Sequence, residues 1–99
     1  MAVTPVPMYR GNLPTSNTTL AAVPSGATWV ITNIVLANTS SSTVQVTISL
    51  DGVAVLGGVT IPANTVAPFD IRQVLAATKT ISGFATGPLG CHISGSQVA

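Results

Sequence analysis

The side chains able to move a proton or attack an electrophile are few: Asp51, Asp70, Cys91, His92 and Tyr9, with Lys79 as the one amine. Acid–base or nucleophilic chemistry needs at least two such groups within hydrogen-bond reach of a reacting atom. Cys91 and His92 offer a thiol and a base, but adjacent residues of a strand project to opposite faces, so one chain cannot make them a dyad. An enzyme would need them to converge from different subunits. A single cysteine closes no disulfide within the chain, and with one neighbouring histidine it makes no zinc ligand set. Asp51 and Asp70 stand too far apart in sequence for a calcium loop, and Gly57-Gly58 lacks the Lys-Ser/Thr and following helix of a phosphate loop. Trp29 and Tyr9 could stack on a sugar ring. In a chain that is 4% aromatic, single aromatics more often pack internally, Trp29 in the core and Tyr9 as an anchor for the N-terminal segment. The expectation is a non-enzyme without cofactor, catalytic residue or metal.

The elements that would position these groups follow from composition. Thr 14, Val 13 and Ile 7 give 34 β-branched residues in 99, and there is no Glu; this is a β protein of a single domain. Only five residues are charged (Arg10, Arg72, Lys79, Asp51, Asp70), against about 25% in ordinary proteins. A basic face for nucleic acid is therefore excluded, and solubility rests on neutral Thr, Ser and Asn. The start, with Pro5, Pro7 and Pro14, does not read as a secretory leader. The most apolar run, Trp29 to Ala37, is interrupted at Thr32-Asn33 and falls short of a membrane-spanning helix. Asn17-Thr18-Thr19 and Asn38-Thr39-Ser40 match the glycosylation sequon but read, without a leader, as polar loop residues.

Met1 to Ser16 shows neither helical nor strand period and reads as an extended arm, with one short edge strand around Pro7 to Arg10. Residues 17–99 then form the domain proper. Thr18 to Val23 is a strand closed by Pro24-Ser25-Gly26, and Thr28 to Asn38 is a long strand, apolar on both faces, at the centre of the core. Thr43 to Leu50 alternates strictly, with Val44, Val46, Ile48 and Leu50 on one face. Asp51-Gly52 is a two-residue hairpin signal, Gly57-Gly58 a bulge, and Pro62-Ala63-Asn64 a second turn. Pro68 confines Thr65 to Ile71 to an edge, with Asp70 and Arg72 forming a local ion pair on one face. Arg72 to Ala77 reads as a single helical turn. Lys79 to Ala85 and Cys91 to Val98 are the last strands. The sum is an all-β, antiparallel β-sandwich or jelly roll of about seven or eight strands.

Such low charge has a consequence for association. β proteins usually guard their edges with Lys or Pro, and here one Lys guards everything. Burying a neutral hydroxyl costs less than burying an ion, so the uncharged faces suit contact with other copies. The expected assembly residues are Pro5, Pro7, Tyr9 and Arg10 on the arm, crossing to a neighbour, and Thr43, Gln45 and Thr47 on the polar stripe.

The ordered series Leu20-Ala21-Ala22-Val23-Pro24-Ser25-Gly26, then Trp29 to Asn38, resembles small virion proteins of tailed bacteriophages in which a Val-Pro-x-Gly turn precedes a strand ending in Asn. The likeness continues through Val46 to Val53, Ile61-Pro62-Ala63-Asn64, Gln73 to Ala77 and His92-Ile93-Ser94-Gly95, covering roughly residues 18–98. Thr78-Lys79 stands where that pattern often has Gly-Asp. The resemblance implies a β-sandwich structural component of a bacteriophage virion, assembled in the host cytoplasm. It would be a homo-oligomer, expected to be a trimer, that decorates the capsid or is attached to the tail or its fibres. Its partners would be major capsid or tail proteins, not nucleic acid or membrane. The alternative expectation is a glycan- or receptor-binding module at a tail tip, which would need Trp29 or Tyr9 exposed in a groove.

Overall fold

Alternating burial organises the chain from one end to the other. The structure, a computed structural model, describes residues 3–98. Eight strands follow one another: β1 (Val3–Asn12), β2 (Thr18–Ala22), β3 (Thr28–Asn38), β4 (Val44–Leu50), β5 (Val53–Ile61), β6 (Thr65–Leu75), β7 (Thr80–Ala85) and β8 (Gly90–Val98). They pair antiparallel as β1 with β8, β2 with β7, β3 with β6 and β4 with β5. The chain is in effect one long ribbon of strand pairs. Rolled up, it also brings β3 beside β8 and β4 beside β7. The result is two sheets, A (β1-β8-β3-β6) and B (β2-β7-β4-β5), packed face to face as a jelly-roll β-sandwich.

The core lies between the sheets. Ile31, Ile34, Leu36 and Ile93 of sheet A meet Val46, Ile48, Ile61 and Ile81 of sheet B, all sealed from solvent. In β3 the buried residues change phase, from Trp29 and Ile31 to Ile34, Leu36 and Asn38. The register against both neighbours shifts between Ile31 and Asn33, so the polar interruption Thr32-Asn33 is a bulge that carries the inward face across a break in alternation. The hairpin between β4 and β5 is closed by Asp51 (φ 53°) and Gly52 (φ 77°), the positive-φ pair that a type I′ turn demands. The bulge expected at Gly57-Gly58 is present opposite Thr47.

Three expectations are corrected. The segment expected as an arm (1–16) beside a 17–99 domain is, over its described residues 3–16, part of the sandwich: β1 pairs with β8 from Val3 to Asn12, and Met8 and Leu13 are buried in the core. Leu13 N–H donates to the Leu89 carbonyl at 2.9 Å and Ala85 N–H to the Pro14 carbonyl at 2.9 Å. Pro5 and Pro7 are compatible with this strand because it is the sheet's edge. Met1 and Ala2 lie outside the described residues. Arg72 to Ala77 is not a helical turn; strand β6 runs on to Leu75 and pairs Gln73, Val74 and Leu75 with Ile31, Val30 and Trp29. Only Ala76 to Lys79 turn, closed by Lys79 N–H donating to the Ala76 carbonyl at 3.2 Å.

Asn38, the first residue of a sequon read as polar loop, is instead the buried polar residue of the core. Its Nδ2 donates to the carbonyls of Ser42 (2.8 Å), Ile61 (3.1 Å) and Pro62 (3.1 Å), and its Oδ1 accepts from Ser40 N–H (3.1 Å) and Oγ (2.7 Å). It ties the loop after β3 to the end of β5 and satisfies groups that would otherwise be orphaned.

Two stability outcomes follow. A Cβ at Gly95 would collide with the Val30 carbonyl oxygen and stand 2.8 Å from Met8 Cε, so Gly95→Ala should cost about 3 kcal/mol or more in urea unfolding. A loss below about 1 kcal/mol would contradict the tight strand approach. Asn38→Asp replaces a donor by a carboxyl whose ionised form is buried, so its folded pKa rises above the unfolded value of about 3.9. Relative to the parent, the variant should lose further stability as pH rises from about 4 to 7, ending about 3 kcal/mol or more down. A penalty independent of pH would contradict this.

Candidate functional site

The described residues enclose no pocket, and no three His, Cys, Asp or Glu among them come together as a metal-holding group. Of the residues able to do chemistry, Tyr9, Asp70, Cys91 and His92 stand in strands, and Asp51 and Lys79 in the turns between them. Cys91 points inward from β8 and is wholly buried, and burial pushes its thiol from the ordinary 9.0 up to about 12. His92, next along, is exposed on the other face, registered between Arg10 of β1 and Val35 of β3. The sheet therefore separates thiol from imidazole. Trp29 is 6% exposed and its Nε1 donates to Gln97 Oε1 at 2.9 Å, which leaves no ring face for a sugar. Tyr9 is half-buried, its hydroxyl donating to the Asn12 carbonyl at 2.8 Å.

The ion pair expected between Asp70 and Arg72 does not form. The pair found among the described residues is Lys79 Nζ to Asp51 Oδ1, at 3.8 Å between exposed side chains, a geometry of small energetic weight.

What remains is surface. Pro5, Pro7 and Arg10 are exposed on β1, registered against Ser96, Ser94 and His92. Gln45 is exposed and Thr47 half-buried on the outer face of β4, with Thr43 exposed just before it. The first set belongs to sheet A and the second to sheet B, so the structure does not bring the expected assembly residues together. They are parts of two separate surfaces. Thr47 also works inside the molecule, its Oγ1 accepting from Gly58 N–H at 3.1 Å.

The sequence reading missed two apolar features. Phe84 of β7 lies in register with Thr47 and is half-buried, placing an aromatic ring within the polar stripe. On β6, Val66 and Val74 are 61% and 70% exposed, while Phe69 and Ile71 are only half-buried against the core. The signal was available as the alternation Val66, Pro68, Asp70, Arg72, Val74. It was obscured by reading Arg72 onward as helical.

No family model matches the chain, and no curated protein sequence matches it. Among solved structures it is similar to part of the exo-β-1,3-galactanase from Phanerochaete chrysosporium. Against a variant of that enzyme with β-1,3-galactotriose, identity is 20% and TM-score 0.48, covering 97% of this chain and 29% of that one. Against the enzyme with galactose, identity is 16% and TM-score 0.46, covering 99% and 30%. The chain spans less than a third of the length of those enzyme chains, and the likeness extends to the course of the backbone alone.

The thiol supplies a direct check on this geometry. Cys91 should resist a water-soluble disulfide reagent in the folded protein and react only on unfolding. Because the unfolded thiol ionises near 9.0 and the folded one near 12, its contribution to stability is complete below pH 9 and is lost as pH rises toward 12. Urea midpoints measured across that range should fall more steeply for the parent than for Cys91→Ala. Equal slopes would contradict the burial.

Proposed function

We propose that the chain is a structural component of a bacteriophage virion: a small homo-oligomeric protein that decorates the capsid or is attached to the tail or its fibres, acting by non-covalent assembly. The observation that carries this reading is a two-sheet sandwich with five ionic side chains in 99 residues and no pocket among the described residues. Work done by such a surface is adhesion. Apolar area removed from water contributes about 25 cal/mol per Å² before ordering costs, and neutral hydroxyls can be covered at lower cost than ions. The ordered sequence resemblance over residues 18–98 supports the virion setting, and the jelly roll is a fold that viral capsid proteins use among many others. A trimer seated on major capsid or tail proteins is the assembly proposed. The glycan-binding alternative loses its best stacking residue, because Trp29 is buried and hydrogen-bonded to Gln97.

With β1 built into the sandwich, truncation of residues 1–16 removes core side chains and cannot separate anchoring from folding. The test is instead sedimentation equilibrium of the whole chain at micromolar concentration, with mass spectrometry of particles purified from cells that make it. The expected result is a multiple of 9.9 kDa and co-purification with particles. A monomer that stays in the particle-free supernatant would overturn the proposal.

A further inference from the structure

We infer that β6 is the seat of a two-fold contact between two copies of this chain, in which Asp70 of each copy meets Arg72 of the other. The inference deepens the assembly reading and rests on its self-association, not on the virion setting.

Strand β6 is an edge: among the described residues it pairs with β3 and with nothing beyond. Its outward face carries Val66 and Val74, two of the four exposed large apolar side chains among the described residues; the others, Val3 and Val53, stand singly on β1 and β5. Its inward face is also incompletely covered. Phe69 and Ile71 pack on the core yet stay half-exposed, because β5, the edge of sheet B on that side, touches β6 at few points. One strand thus leaves apolar surface on both faces of a single edge. Val66 and Val74 stand eight residues apart on this strand, about 26 Å at roughly 3.3 Å per residue, so the apolar surface is a strip along the edge with Asp70 and Arg72 set between its ends.

The charges on the same strand say which partner fits. Asp70 and Arg72 are exposed, two residues apart, and bridged neither to each other nor to another group among the described residues. Along the outward side, Pro68, Asp70, Arg72 and Val74 run apolar, acid, base, apolar. A strand running the opposite way, related by a two-fold axis near Ile71, sets Asp70 against Arg72 twice and Pro68 against Val74 twice. The pattern is self-complementary, as an isologous contact requires. A different partner would need the same alternation in reverse; a second copy carries it already.

The mode of contact follows from the backbone. Pro68 offers no N–H, and the register of β6 against β3 shifts between Asp70 and Gln73, so a continuous ladder across the axis is interrupted. The copies meet through side chains: the two ion pairs set register and orientation, while the valines and the Phe69–Ile71 seam supply the buried area. Alone this contact makes a dimer. Combined with a threefold contact elsewhere it makes a closed assembly of dihedral symmetry.

The experiment is sedimentation velocity of the full chain and three variants, with circular dichroism to confirm the fold of each. Asp70→Arg and Arg72→Asp each turn two attractions into two repulsions and should weaken the two-fold step by about tenfold or more in Kd. An equimolar mixture of the two variants restores both pairs, as does D70R combined with R72D in one chain, and each should return to the parent's mass. Variants that fold and associate as the parent does, or a mixture that fails to recover, would overturn the β6 contact while leaving self-association standing. A parent chain that stays monomeric throughout would overturn both.

Discussion

The close approach of β8 to β3 at Gly95 and Ile31 is the constraint on which sheet A depends. At Gly95 the backbone of β8 lies so near the Val30 carbonyl and Met8 that no side chain fits. The strands can come this close because β3 bulges at Thr32-Asn33, one residue away in register. The bulge resets which residues face inward, so Trp29 and Ile31 on one side of it and Ile34 and Leu36 on the other all reach the same core. Without it, half of β3 would turn its isoleucines to water. Gln97 then finds the indole of Trp29, and β1 finds room to lie along β8 with Met8 inserted beneath.

Local signals in the chain made much of this architecture legible. Strict alternation in β4, the Asp51-Gly52 turn and the bounds of β3 each have a cause within a few residues, and each stands in the structure where those causes put it. The failures share a different origin. Met1 to Ser16 lacks period because Pro5, Pro7 and the irregularity around Met8 break the pattern of an edge strand; edge pairing tolerates what an inner strand could not. Arg72 to Leu75 has a composition tolerant of a helix, and only pairing with Trp29, Val30 and Ile31, more than 40 residues earlier in the sequence, makes it strand. Tertiary context overrode local preference.

The site was less legible than the fold. Pro5, Pro7, Tyr9 and Arg10 were expected on an arm reaching a neighbour, and Thr43, Gln45 and Thr47 on an uncharged strand face; local sequence carries no signal of how those two places lie relative to each other. Which sheet a strand joins is decided by the roll of the whole ribbon, and that roll puts β1 and β4 in different sheets. The same roll leaves β6 beside open solvent. Asn38 shows the converse: it was read as surface from its neighbours Thr39 to Ser42, yet the end of β5 folds over it and takes its Nδ2 through the Ile61 and Pro62 carbonyls, while Ser40 of its own loop donates to its Oδ1.

Edges are where a chain with one lysine must solve a problem that charge usually solves. Sheet A ends in β1 with two prolines and in β6 with Pro68 and an irregular register; sheet B ends in the five-residue β2 and in β5 with its glycine bulge. Each device spoils backbone pairing without adding an ion. Open-ended strand addition is thereby disfavoured at every edge, while side-chain contact is left free. A sparsely charged β-sandwich protected in this way is restrained from growing as a fibre, while its side-chain faces stay open. Low charge and blunted edges are thus complementary: the first leaves the faces without ionic repulsion, and the second withholds the backbone ladders from a neighbouring strand.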